Sequence, residues 1–180
     1  MSLRLFAAIE APPEIGEGLV WRQQGLEGAR WRPLDTLHIT LRFFGETAET
    51  VAADLDAELA SIVARPFRLE LQGVGSFGEA FDPRAVWAGV KDDSGALKQL
   101  AGRCEGAARR AGLRAEGRAY HPHLTLAYLR RPDPGRVAAW IQEHNLLKSP
   151  PFQVTGFGLY SSWPTGEGSR YELERTYPLR

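Results

Sequence analysis

Two short motifs hold the residue types that could do chemistry: His38-Ile39-Thr40-Leu41 and His123-Leu124-Thr125-Leu126. In each, a His is followed two positions later by a Thr, with apolar residues between and after. Imidazole titrates near neutral pH, so two histidines at one centre can serve as base and acid. Phosphodiester hydrolysis asks for such a pair. One His takes a proton from the attacking water; the other protonates the departing alkoxide. A Thr hydroxyl on the same side can donate to a non-bridging phosphate oxygen, where charge accumulates. His38, His123, Thr40 and Thr125 are therefore the candidate catalytic set, and these four side chains need no metal to fill the roles.

The elements must bring them together. Residues 37–45 and 121–129 are rich in Leu, Ile, Thr and Phe and alternate in polarity, so both read as strands. A strand sends successive side chains to opposite faces. His and Thr of each motif then share one face, the wall of a wet cavity, while the apolar residues pack behind. If the two strands face each other, four polar groups converge. A lone His-x-Thr is a common chance occurrence, and two structural histidines are the alternative. Two copies, each followed by Leu, in a chain with four histidines weigh against chance.

Two other classes use the same residues. His121 and His123 with His38 could ligate zinc and leave a position open for water. No Cys and no carboxylate placed to orient them accompanies that set. A non-catalytic module binding RNA ends would use arginines on phosphates and aromatics such as Phe6, Tyr120, Tyr128 and Tyr160 on bases. The chain has no dense basic patch to support it. His144, at the end of a helix, reads as a solvated residue complementing the helix dipole.

The 180 residues suit one domain, or two small lobes sharing a core, and the hydrophobic fraction of 43% is ordinary for a globular protein. No apolar run approaches the ~20 residues of a membrane helix. Lys+Arg and Asp+Glu are both 22, so no global field attracts nucleic acid. Most cations are Arg, and Arg30, Arg32, Arg42, Arg118, Arg130 and Arg131 flank the motifs as candidate phosphate ligands. The one cysteine, Cys104, excludes an internal disulfide and fits a reducing cytoplasm. It falls on the apolar side of a helix, as buried filler. The first residues lack a basic leader and a cleavage site and read as a strand. No membrane contact and a monomeric state are expected.

In order, the pattern gives a strand over 3–10, a helix from Pro12-Pro13 to Gly28, an extended link over 30–33 and the first His strand, broken by Gly45. Thr47 caps a helix that Pro66 stops. Strands follow at 67–74 and 85–90, with a loop between them marked by Gly75, Gly78 and Asp82-Pro83. Ser94 caps a helix ended by Gly112, and the second His strand comes next. Asp133-Pro134 opens a last helix, and two strands, 152–163 and 171–179, are joined through Gly166 and Gly168. Irregular alternation with several strand-to-strand links favours an α+β protein of mostly antiparallel sheets. Two similar lobes, each with one motif, would bound a central cleft.

The paired His-x-Thr-x motifs resemble the two-histidine (2H) phosphoesterase superfamily, most of all the RNA 2′,3′-cyclic phosphodiesterases, also called 2′-5′ RNA ligases. Arg4 to Ile9, Leu37 to Glu46, Pro122 to Ala127, Leu159 to Ser162 and Tyr171 to Leu173 carry the likeness. It spans essentially the whole chain, 1–180, as a single domain of two intertwined lobes. The resemblance implies a bilobal fold with a pseudo-twofold axis. It implies cofactor-free hydrolysis of 2′,3′-cyclic phosphate RNA ends, on tRNA fragments or oligonucleotides, to 2′-phosphates, with reversible 2′-5′ ligation. His38 would be the proton donor, His123 the acceptor, and Thr40 and Thr125 the phosphate-oxygen donors.

One departure matters. Some relatives carry Arg two residues beyond the second motif, where this chain has Tyr128. Arg42 and Arg130 could supply the charge. By strict alternation Tyr128 and Arg130 point away from the His123 face unless a bulge or strand end follows Ala127, whereas Arg42 shares the face of His38 and Thr40. Arg42 is thus the expected phosphate-capturing arginine.

Overall fold

The computed structural model of the chain describes residues 1–166 and 168–180. Alternation is what builds its sheet: residues such as Leu5, Ile9, Ile39, Leu71, Val86 and Leu124 are buried from one strand to the next and form one continuous core. Among the described residues the strands are β1 (Ser2–Glu10), β2 (Ala29–Trp31), β3 (His38–Ala48), β4 (Phe67–Glu79), β5 (Asp82–Lys91), β6 (His123–Leu129), β7 (Phe152–Val154), β8 (Gly156–Thr165) and β9 (Gly168–Pro178). The helices are α1 (Pro13–Glu17), α2 (Glu49–Ala60), α3 (Ala96–Arg110) and α4 (Pro134–His144). All strand pairs are antiparallel, in the order β7-β4-β5-β6-β3-β1-β8-β9, with β2 also on β6. This is the α+β class expected.

The two motif strands join the halves of the sheet. β3 meets β6 through one recorded residue pair, Ile39 opposite Leu124, each the second residue of its motif. Antiparallel register then sets His38 level with Thr125 and Thr40 level with His123. A splayed single-pair seam leaves room for a cleft where a full ladder would close it.

Several boundaries differ from the sequence reading, each for a physical reason. The first helix ends at Glu17, between Gly16 and Gly18, and a short 3-10 turn (Val20–Arg22) follows; Ile15, Leu19 and Leu26 are still buried. The link over 30–33 belongs partly to β2. β3 does not stop at Gly45, which at φ 74° continues the strand through an irregularity. Thr47 is not a cap: its Oγ1 donates to the Gly45 carbonyl, and Ala48 precedes α2. Gly75 and Gly78 lie inside β4, so the loop before β5 shrinks to residues 80–81. Gly95 (φ 76°) holds the cap position of α3, while the Ser94 Oγ accepts from Ala96 N. Asp133 does cap α4, accepting from Gly135 N at 2.9 Å. The tip joining the last two strands includes Glu167, outside the described residues.

Candidate active site

His38 opens β3 and His123 opens β6, and both are held the same way. The His38 Nδ1 is 2.7 Å from the Thr36 carbonyl oxygen, and the His123 Nδ1 is 2.7 Å from the His121 carbonyl oxygen. A carbonyl only accepts, so each Nδ1 carries its proton and each Nε2 is left to the cleft. Both rings also rest against aromatic neighbours. His38 lies 5.1 Å from Phe6 and edge-on to Tyr171 at 5.4 Å; His123 is edge-on to Phe77 at 4.6 Å. His38, Thr40, His123 and Thr125 are half-buried, whereas Ile39, Leu41, Leu124 and Leu126 are buried. The alternation read from the sequence therefore holds through both motifs.

Burial is the main cause that holds the imidazoles of both His38 and His123 below the usual histidine range; the carbonyl hydrogen bonds oppose it. The Arg32 guanidinium and the His123 imidazole lower His38 further, and His121 does the same for His123. His38 is thus close enough to His123 to feel its charge.

Beyond each Thr the alternation breaks. Trp87 pairs with Thr125 but Val86 pairs with Ala127, which makes Leu126 an extra residue in β6. Ala8 pairs with Thr40 but Ala7 pairs with Arg42, which makes Leu41 an extra residue in β3. The Leu that closes each motif is a bulge, and it reverses the faces that follow. Phe43 and Tyr128 come onto the His/Thr face; they are 44% and 47% exposed. This corrects the expected site in two places. Tyr128 faces the cleft. Arg42 lines a cavity with Thr40 and His123, but its guanidinium is locked: its Nε donates to Glu105 Oε2 at 2.5 Å, its Nη2 to the Arg114 carbonyl at 2.6 Å, and its Nη1 to the Phe43 carbonyl. Arg42 is a brace between β3 and α3. Arg130 lies just past the end of β6, exposed.

Two aromatic candidates are also reassigned. Phe6 is 1% exposed and stacks under Phe43 and Tyr160, so it floors the site beneath His38 instead of receiving a base. The Tyr120 hydroxyl donates to the Thr40 carbonyl at 2.8 Å and ties the approach to β6 onto β3; burial pushes its phenol up. His144 is buried, not solvated, against Trp140, with Arg22 Nη1 3.1 Å from its Nδ1. Cys104 is fully buried, and its thiol is pushed up to about 12, which fits filler. Among the described residues no three His, Cys, Asp or Glu side chains are grouped to hold a metal ion. The rings of His121 and His123 stand 6.2 Å apart.

Cavities flank the motif strands. One of about 690 Å³ is lined by Thr40, Arg42, Phe43, Phe77, Tyr120 and His123. Another, about 570 Å³, is lined by Arg4, Arg30, Arg32, Tyr128, Trp163 and Tyr171. Comparison with known proteins agrees with this layout. Residues 14–162 match the model of the 2′-5′ RNA ligase superfamily. The chain belongs to the 2′-5′ RNA ligase superfamily. Within this superfamily it is similar to the RNA 2′,3′-cyclic phosphodiesterase of Archaeoglobus fulgidus, at 30% identity over 178 residues, 97% of this chain and 99% of that one. The Escherichia coli protein of the same name is 36% identical over 127 residues, 68% and 70% of the two chains. A crystal structure of E. coli LigT complexed with 3′-AMP matches with a TM-score of 0.81 at 30% identity, covering 99% of each chain. A Thermus thermophilus protein matches with a TM-score of 0.82 at 26% identity, covering 99% of this chain and 98% of that one.

In this 2′-5′ RNA ligase superfamily member, sequence reasoning left open a bulge after Ala127 in β6, where the extra residue is Leu126, and missed the bulge at Leu41 in β3. The signal was present: Phe43-Phe44 and Leu126-Ala127 are apolar doublets where a period-two pattern stumbles. Arg32 was one flanking arginine among six; its distinction is that Arg32 N donates to the carbonyl of the bulged Leu126 at 2.8 Å.

Proposed function

We propose that this chain hydrolyses the 2′,3′-cyclic phosphate at the end of an RNA strand to a 2′-phosphate, by acid–base catalysis from His38 and His123. The observation that carries the reading is the matched pair of Nδ1–carbonyl hydrogen bonds, which leaves two Nε2 atoms available on two strands paired at the motifs. Homologues named RNA 2′,3′-cyclic phosphodiesterase over nearly the whole length support the substrate class.

Neutral His123 accepts a proton from water through Nε2, and the water oxygen attacks phosphorus. The bond from phosphorus to the 3′ oxygen breaks, and protonated His38 gives its Nε2 proton to that oxygen. The Thr40 and Thr125 hydroxyls donate to the non-bridging oxygens as charge builds. Microscopic reversibility allows joining through a 2′-5′ bond, but water at high concentration favours hydrolysis. The substrates in this reading are tRNA fragments or oligonucleotides, and the 180 residues act as one cytoplasmic, monomeric domain of two intertwined lobes.

The test is kinetic. His38→Ala and His123→Ala should each lower turnover by about 10²-fold or more while RNA binding persists. Mutants that turn over like the wild type would defeat the assignment. The pH profile of kcat/KM should be a bell. Its acid limb is protonation of the base and its alkaline limb is deprotonation of the acid. Both imidazoles are held low, so the bell should centre below about 6.5, the ordinary histidine value.

A further inference from the structure

We propose that Arg32 forms a phosphate-binding site in the cavity it lines with Tyr128 and Tyr171, the ring that packs on His38, and holds there a phosphate of the RNA substrate with the charge that Tyr128 lacks. The inference rests on the function proposed above and adds the anion's cationic partner. Arg30 is opposite Tyr128 in the β2–β6 register, and Arg32, two residues on, falls on the same face. Its backbone is fixed twice: Arg32 N donates to the Leu126 carbonyl, and its own carbonyl accepts from Gln23 Nε2 at 3.0 Å. The guanidinium carbon lies 5.6 Å from the Tyr128 ring and 5.4 Å from the Tyr171 ring. Tyr128 and Tyr171 line the same cavity as Arg32, and both Tyr128 and Arg32 act on the Tyr171 phenol, which burial pushes up, Tyr128 raising it and Arg32 lowering it. Glu46 lines the same cavity, where its carboxylate accepts from Ser2 Oγ, but among the described residues no carboxylate forms an ion pair with Arg32, and the Arg32 Nη2 is buried without a hydrogen-bond partner. A guanidinium that is stacked, positioned and unneutralised in a cavity is preorganised for an oxyanion. Arg42, by contrast, is consumed by Glu105.

Arg32→Gln and Arg32→Lys should be assayed on a nucleoside 2′,3′-cyclic phosphate, which has one phosphate, and on a dinucleotide ending in the same group, which has two. KM should rise about tenfold to a hundredfold in Arg32→Gln, the loss of one charge-assisted contact, with partial recovery in Arg32→Lys. Inorganic phosphate should weaken as an inhibitor by a similar factor. A loss on both substrates identifies the cyclic phosphate as the bound group; a loss on the dinucleotide alone identifies the phosphodiester before it. His38 supplies an independent readout. Glu10 from β1, Asp35 from the turn before β3, Tyr160 from β8, Tyr171 from β9, His123 from β6 and Arg32 from just after β2 surround it. Removing the Arg32 charge should raise the His38 midpoint in an NMR titration, and saturating inorganic phosphate should raise that midpoint in the wild type but not in Arg32→Gln, which a purely structural arginine would not give. Unchanged KM on both substrates with unchanged phosphate inhibition would overturn the proposal. If the wild type opens neither substrate, the hydrolysis reading fails, and direct titration of wild type and Arg32→Gln with inorganic phosphate still decides the site: equal affinity overturns it.

Discussion

The single residue that departs furthest from its expected role is Arg42. On parity alone it belonged beside His38 and Thr40; one extra residue, Leu41, rotated it into a brace with Glu105. Its side chain is 10% exposed and that of Glu105 26%, so truncation takes the cation from a half-buried carboxylate. Arg42→Ala should therefore cost about 1–3 kcal/mol of stability. Urea denaturation measures this, and KM for a cyclic phosphate should stay within about twofold of wild type, less than a tenfold step of 1.4 kcal/mol. A large KM increase without loss of stability would restore Arg42 to the phosphate. Thr40 and Thr125 behave as the alternation required because they precede the bulges; Arg42, Tyr128 and Arg130 do not because they follow them.

At the scale of the element, strands and helices were legible wherever a period persisted. The alternation over 67–74 and the apolar stripe Leu97, Leu100, Cys104 and Ala108 became β4 and α3, and the Asp133-Pro134 start became α4. Illegible were the glycines that sit inside strands, because an isolated Gly signals a turn and a bulge with equal strength. Gly45 and Gly102 separate the two uses of glycine. A Cβ at either would meet nothing within 4 Å, yet Gly45 has φ 74° and Gly102 is an ordinary helical residue of α3. Gly45→Ala should lose about 1–2 kcal/mol from backbone strain, and Gly102→Ala should gain about 0.5–1 kcal/mol. Chemical denaturation of the pair would check this; equal effects would mean that Gly45 is not held left-handed.

For the whole molecule, the site exists only where the two halves of the sheet meet. β3 brings His38 from one half, β6 brings His123 from the other, and Ile39 opposite Leu124 is the seam. The repeated motif made two halves and a cleft legible. The pairing order was not, because which strand neighbours which depends on contacts distant in sequence. The zero net charge means that a substrate anion is caught by local groups and not by a long-range field. The central claim is that these two histidines, without a metal, direct water at a 2′,3′-cyclic phosphate. The most direct measurement is product analysis by ³¹P NMR and mass after exhaustively chelated protein acts on a cyclic-phosphate dinucleotide in heavy-oxygen water. The account predicts undiminished turnover to a 2′-phosphate carrying one heavy oxygen. A 3′-phosphate product, or activity that vanishes on chelation and returns only with added zinc, would contradict it.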